Sequence, residues 1–260
     1  MLRLGVMLSN LKLPLHEAIA TAARLGAQGV QLWTAGGDLD PDEISSSLRR
    51  EVMGQLAREG MEVSAICADY GRAYTDPANM EWLRSRIMDQ VSLATAFATQ
   101  VVTTHIGHIP NDPDSSEWKT AQAALKEFGD YAHSMGVVLA TETGPEQPAV
   151  LRAFLDSVGS PGAKVNYDPA NLAMNGFDPV RGVAELAPHI AHTHAKDGVR
   201  RPDGRGEEVP LGEGDVDWDA YIAALQEVRF DGYLTVEREG GEDPVGDVSH
   251  ALSFLKMKVG

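Results

Sequence analysis

The sequence predicts an α/β protein built as a single (β/α)8 barrel. Three observations carry this: strand-like runs alternate strictly with amphipathic helical stretches, the unit recurs eight times, and the 260 residues allow about 30 for each unit. Strict alternation makes the sheet parallel, because a helical crossover must follow each strand before its neighbour can run the same way. Eight units at this spacing favour closure into a barrel over a doubly wound open sheet. A hydrophobic fraction of 43% supplies enough apolar surface for one large core or two small ones.

Residues 4–8 read as the first strand, and 29–33, 62–67, 100–105, 137–142, 164–168, 190–194 and 233–237 as the other seven. Helix starts are marked by Asp40-Pro41, Asp76-Pro77, Asp178-Pro179 and Asp243-Pro244. There the aspartate accepts from free amides and proline presets the first helical φ. Glu43 adds a capping-box partner at Asp40. Gly26, Gly60 and Gly136 end helices just before the next strand. The span 197–216, rich in glycine and arginine, reads as the longest structureless connection, and such loops usually carry function. No linker rich in Ser or Pro divides the chain, so residues 1–260 are expected to form one domain.

Composition narrows the function. Lys and Arg total 22 against 38 Asp and Glu, a net charge of -16 that disfavours nucleic acid as a partner. Mean hydropathy is -0.20, and no apolar run approaches the about 20 residues of a membrane span. The N-terminus reads as a strand and not as a secretory leader. With Cys67 as the single cysteine no intrachain disulfide can form, and a cytoplasmic location is expected. Cys67 itself ends an apolar run and reads as a core residue.

In barrels of this kind the reacting groups stand at the C-terminal strand ends. Strands four to eight end in His105, Glu142, Asp168, His194 and Glu237, whereas apolar residues such as Val138, Val165, Ile190 and Leu234 occupy their starts. These metal-competent side chains would converge over one mouth. Oxygen and nitrogen donors in this mixture suit one divalent ion among Mn, Co, Mg, Fe and Zn. Carboxylates brought together repel one another, and a cation is their natural neutraliser. Each residue alone has a structural alternative. Asp168 precedes Pro169 and reads equally as a helix cap, His192 and His194 as hydrogen-bonded core residues, and Glu142 and Glu237 as partners of Arg152 and Arg238. Their joint occurrence at successive strand ends favours the metal site.

The segments Leu139-Ala140-Thr141-Glu142-Thr143-Gly144, Val165-Asn166-Tyr167-Asp168-Pro169-Ala170-Asn171 and His192-Thr193-His194-Ala195-Lys196-Asp197 carry a resemblance, as do Pro210-Leu211-Gly212-Glu213-Gly214-Asp215-Val216-Asp217-Trp218 and Gly232-Tyr233-Leu234-Thr235-Val236-Glu237. Over essentially its whole length the chain resembles the sugar isomerase and epimerase superfamily of xylose-isomerase-like TIM barrels. The resemblance implies that Glu142, Asp168, His194 and Glu237 are metal ligands, with manganese among the candidate ions. It further implies that Glu142 and Glu237 move a proton beside a substrate carbonyl through a metal-stabilised enediolate. The implied function is a metal-dependent isomerase or epimerase of a small sugar, polyol or hydroxy-keto acid in carbohydrate metabolism. Two positions depart from the ketohexose 3-epimerases of that superfamily. Asn171 stands where they carry a sugar-contacting His, and Pro148 where they carry a substrate-contacting Glu, with Glu146 and Gln147 as the nearest polar residues.

Further residues read as substrate contacts: His105, Asn171, Lys196, Arg200 and Trp33. Lys196 is expected on the same side as His194, facing a substrate oxygen, or else paired with Asp197. Arg200, Arg201 and Arg205 could clamp a phosphate or carboxylate, or form a solvated loop cluster. His108 reads as a loop residue, and Trp82 and Trp118 as packing residues. Apolar exposure in the Trp33 and Trp118 regions would permit a homodimer. Competing readings are an inosose-type dehydratase on the same site, a non-catalytic sugar-binding barrel, and an apurinic-site endonuclease, which the acidic charge and sparse ligand set disfavour.

Overall fold

The structure, a computed structural model, describes residues 1–259. In chain order the strands are β1 (Arg3–Met7), β2 (Gly29–Trp33), β3 (Glu62–Cys67), β4 (Val101–Thr104), β5 (Val138–Glu142), β6 (Ala163–Tyr167), β7 (Ile190–Ala195), β8 (Asp197–Arg200), β9 (Gly206–Val209) and β10 (Tyr233–Val236). All but β8 and β9 close into a parallel barrel in the order β1-β10-β7-β6-β5-β4-β3-β2. The predicted strands are all present, shifted by a residue or so at some ends.

Outside the barrel lie α1 (Leu15–Leu25), α2 (Ser46–Arg58), α3 (Met80–Ala96), α4 (Ser116–Ser134), α5 (Pro148–Val158), α6 (Pro169–Met174), α7 (Pro179–Leu186), α8 (Trp218–Glu227) and α9 (Pro244–Val259). Each of the longer ones buries an apolar stripe at helical spacing, as α4 does with Trp118, Ala121, Leu125, Phe128 and Ala132. Trp118 meets the Phe154 ring of α5 edge-on at 5.1 Å. At 4% exposure it cannot contribute to the apolar surface expected around it, whereas Trp33 is 40% exposed. Among the described residues no helix is long and apolar enough to cross a membrane.

Two local expectations are corrected. Asp40 does not start a helix: its carboxylate accepts from the amides of Gly36 and Asp42, which closes a turn. The helix starts instead behind Ser45, whose hydroxyl accepts from the Leu48 amide. Nor is the span 197–216 structureless, since β8 and β9 pair antiparallel from Asp197↔Val209 to Arg200↔Gly206. Gly198 and Gly206 let this hairpin lie against Met174, which a Cβ at either would strike at 2.7 or 2.6 Å.

Asp197 organises the rest of that span. Its Oδ1 accepts from the amides of Gly198 at 2.9 Å and Val216 at 3.3 Å, and its Oδ2 from the Gly212 amide and Trp218 Nε1, both at 2.9 Å. The segment from Gly212 to Trp218 is thereby wound around one buried carboxylate. Asp197→Ala leaves these donors without their acceptor and is expected to cost about 3 kcal/mol or more. Urea unfolding checks this, and a loss under about 1 kcal/mol would mean that water replaces the carboxylate.

The barrel interior near the mouth is polar where such barrels generally hold branched apolar residues. Gln31, Thr103, Asn166, His192 and Thr235 are all buried there and joined by hydrogen bonds. Asn166 Oδ1 lies 2.8 Å from His192 Nδ1, and His192 Nε2 lies 3.0 Å from Thr235 Oγ1. Burial holds His192 well below the usual histidine range, so it is a neutral, hydrogen-bonded core residue.

Candidate active site

Parallel strands deliver their last residues to the same end of a closed barrel. Glu142 ends β5, Asp168 directly follows β6, His194 lies near the end of β7, and Glu237 directly follows β10. These strands are consecutive neighbours in the barrel. One ligand atom from each of the four residues lies within 4.8 Å of all the others, and all four side chains are buried. The structural alternatives for the glutamates fall away, because Arg152 pairs with Asp156, and Arg238 with Glu208 and Asp247.

The two carboxylate oxygens of Asp168 stand in different surroundings. Oδ1 caps α6, accepting from the amides of Ala170 at 2.8 Å and Asn171 at 3.1 Å. Oδ2 is buried with no hydrogen-bond partner. An unpartnered, buried carboxylate oxygen facing two further carboxylates and an imidazole is a donor set that fits a divalent cation. His194 supplies the nitrogen. Its Nδ1 lies 3.1 Å from Glu237 Oε2, 3.5 Å from Glu142 Oε2 and 4.0 Å from Asp168 Oδ2.

The electrostatics carry the same strain. Burial lifts Asp168 above the usual carboxylate range, and the nearby Lys196 does not offset it. Burial opposes ionisation of Glu142 too, but His194 and His105 beside it hold it well below that range. Glu237 is lowered against its burial by His194 and Lys196. Burial works against the charge on His194, yet Glu237 and Glu142 raise it to about 10.

Around this core the expected contacts sort themselves. Lys196 does not pair with Asp197; its Nζ lies 3.0 Å from Glu237 Oε2, 3.4 Å from Glu239 Oε2 and 4.0 Å from Asp168 Oδ2. Asn171 donates to Glu142 Oε1 at 2.8 Å and to the Thr143 carbonyl at 3.1 Å, so it steadies a neighbouring side chain. His105 lies just beyond β4, with Nε2 3.6 Å from Glu142 Oε1 and Nδ1 3.0 Å from Asp69 Oδ2. Glu142 first and Asp69 with it raise His105 to about 11. His108 Nδ1 lies 3.7 Å from Glu146, which is buried and keeps Oε2 without a hydrogen-bond partner.

The arginines of the hairpin do not converge on the mouth as a set. Arg201 pairs with Glu207 and Arg205 with Asp203, while the Arg200 guanidinium lies over Gly176. Trp33 stands exposed at the end of β2, with Nε1 donating to the Ala35 carbonyl at 3.0 Å.

Sequence reasoning missed Gln31, Thr103, Asn166, Asp69 and Glu239. For Gln31 and Asn166 a signal existed: each is an amide placed inside an otherwise apolar strand, Val30-Gln31-Leu32 and Val165-Asn166-Tyr167. Such a residue must find buried partners.

A closed parallel barrel with a buried carboxylate and imidazole cluster at its C-terminal mouth is the class that fold and geometry define. Residues 19–258 match the family described as Xylose isomerase-like TIM barrel, and the chain belongs to it. It is 23% identical over 238 residues to an L-ribulose 3-epimerase of Methylomonas sp. (strain DH-1), spanning 87% of this chain and 79% of that protein. It is 29% identical over 210 residues to a 2-epi-5-epi-valiolone 7-phosphate 2-epimerase of Actinoplanes sp., spanning 76% of this chain and 72% of that protein. An inosose dehydratase of Lacticaseibacillus casei is 26% identical over 160 residues, with 54% of this chain and 53% of that protein covered. Among solved structures, a xylose isomerase domain protein from Planctomyces limnophilus superposes with a TM-score of 0.84 at 22% identity, covering 98% of this chain and 96% of that one. A xylose isomerase-like TIM barrel protein from Mycobacterium smegmatis in complex with magnesium gives 0.76 at 20% identity, covering 99% and 97%.

Proposed function

We propose that the protein is a divalent-metal-dependent isomerase or epimerase of a small polyhydroxy carbonyl compound. The observation that carries this is the convergence of Glu142, Asp168, His194 and Glu237, with Asp168 Oδ2 buried and unpartnered among them. These four residues would hold the ion. When bound, such an ion supplies Lewis acidity toward the substrate's carbonyl and neighbouring hydroxyl oxygens. Glu237 and Glu142 then move the proton: one carboxylate takes it from the carbon beside the carbonyl, and the other returns one to the carbon skeleton.

The surrounding side chains support a neutral substrate. Lys196 is engaged by Glu237 and Glu239, and Arg201 and Arg205 by carboxylates of their own hairpin. Lys196, Arg201 and Arg205 thus have their charge engaged within the protein and are not free to clamp a phosphate. His105 Nε2 offers a donor beside Glu142. Trp33 offers a flat apolar face for sugar C–H groups. A homodimer and a cytoplasmic location belong to the same proposal.

The inosose dehydratase relative favours a second reading, in which the same glutamates remove the proton and water leaves. A panel of free ketoses, ketose phosphates and inososes incubated in D2O with Mn2+-supplemented protein separates the two. Deuterium uptake with retained mass apart from the label supports isomerisation, and loss of water supports dehydration. No uptake and no product from any member would leave a binding protein.

A further inference from the structure

We infer that Gln31 is a positioning residue for the metal centre: it holds His194 in the tautomer whose Nδ1 lone pair faces the three carboxylates. The inference rests on the metal-site reading above and concerns a residue three strands away around the barrel. His194 presents Nδ1 to Glu237, Glu142 and Asp168, and its Nε2 lies 3.0 Å from Gln31 Oε1. Gln31 comes from β2, whereas His194 comes from β7, so this contact crosses the barrel interior. The side chain is 0% exposed, so its amide needs buried hydrogen-bond partners.

The direction of each hydrogen bond follows from one carbonyl. The Ile66 carbonyl can only accept, so the Thr103 hydroxyl, 3.4 Å away, donates to it. Thr103 Oγ1 is then the acceptor for Gln31 Nε2 at 2.8 Å. With its amide nitrogen committed there, Gln31 turns Oε1 toward His194, and His194 Nε2 must donate. In the neutral ring that a cation requires, the remaining nitrogen, Nδ1, therefore carries the lone pair, on the carboxylate side. The other amide near the ring does not compete for it. Asn166 Nδ2 is 3.2 Å from Nε2 and 3.5 Å from Nδ1, longer in each case than the contact of Nε2 with Gln31 at 3.0 Å and of Nδ1 with Glu237 at 3.1 Å. Its own orientation is set by donation to Glu142 Oε2 at 3.0 Å. Partners of this kind typically change metal affinity about 10- to 100-fold.

Two substitutions at Gln31 separate orientation from packing. Gln31→Met keeps the volume and removes the acceptor, whereas Gln31→Glu keeps an acceptor and adds a buried charge. Mn2+ binding by calorimetry, together with the visible absorption of the Co2+-loaded protein, is the readout. Gln31→Met is expected to bind Mn2+ about 10- to 100-fold more weakly with altered Co2+ bands, and Gln31→Glu to stay close to the wild type. If Gln31→Glu fails to fold, Thr103→Val provides the second route, since it frees the Gln31 amide to turn and should weaken Mn2+ binding. Wild-type affinity in Gln31→Met, or in Thr103→Val where that is the variant used, overturns the inference. So does an equal loss in folded Gln31→Met and Gln31→Glu. A wild-type protein that binds neither ion, tested beside His194→Ala, overturns the metal-site reading itself.

Discussion

Glu237→Gln should lower turnover by about 10²- to 10⁴-fold and abolish deuterium uptake from solvent, with the fold intact. The substitution keeps an oxygen that can still accept from Lys196 Nζ, now 3.0 Å from Glu237 Oε2, and it removes the basic carboxylate. Glu142 is a less clean position for the same experiment. Both its oxygens accept from amide donors, Asn171 Nδ2 at 2.8 Å and Asn166 Nδ2 at 3.0 Å, so a glutamine there sets one NH2 group against another. The assay uses whichever substrate the D2O panel identifies. Unchanged turnover and unchanged deuterium uptake in Glu237→Gln would remove this carboxylate from the mechanism.

Asp168→Asn should separate the two roles of that residue. Its capping oxygen survives the change, so α6 keeps the acceptor for the amides of Ala170 and Asn171. What is lost is the charge at the buried, unpartnered Oδ2. Metal affinity is therefore expected to fall by more than the about 10- to 100-fold that changes behind a ligand produce. The melting temperature of the metal-free protein should hold or rise. The sign follows from the burial that lifts Asp168 above the ordinary carboxylate range: near neutral pH its ionisation costs the fold, and asparagine carries no such cost. Calorimetric melting in EDTA and Mn2+ titration check the two halves. A large drop in metal-free stability with full metal affinity would make Asp168 a helix cap and nothing more.

Much of this was legible because a strand imposes a period of two and a parallel barrel gathers strand ends at one mouth. Glu142, Asp168, His194 and Glu237 each stand at or directly beyond the end of an apolar run, and their convergence follows from topology. The bonds that orient them were not legible. Gln31 meets His194 across 163 positions of sequence and Thr103 across 72, and nothing local encodes either partner. Asp197 was hidden for a similar reason, since its acceptors' partners Gly212, Val216 and Trp218 lie in a span without periodicity. The same lack of periodicity concealed β8 and β9, whose pairing rests on a turn and on two glycines seated against Met174. Asp40 shows the converse error: an Asp-Pro pair signals capping, yet the carboxylate was already engaged by the upstream Gly36 amide.

Elemental analysis of freshly purified protein, beside His194→Ala, decides whether the strand-end cluster is a metal centre. About one divalent ion per chain, lost in the variant, is the expected result for one oxygen- and nitrogen-rich site. No ion in either protein, even after incubation with Mn2+ or Co2+, would contradict it.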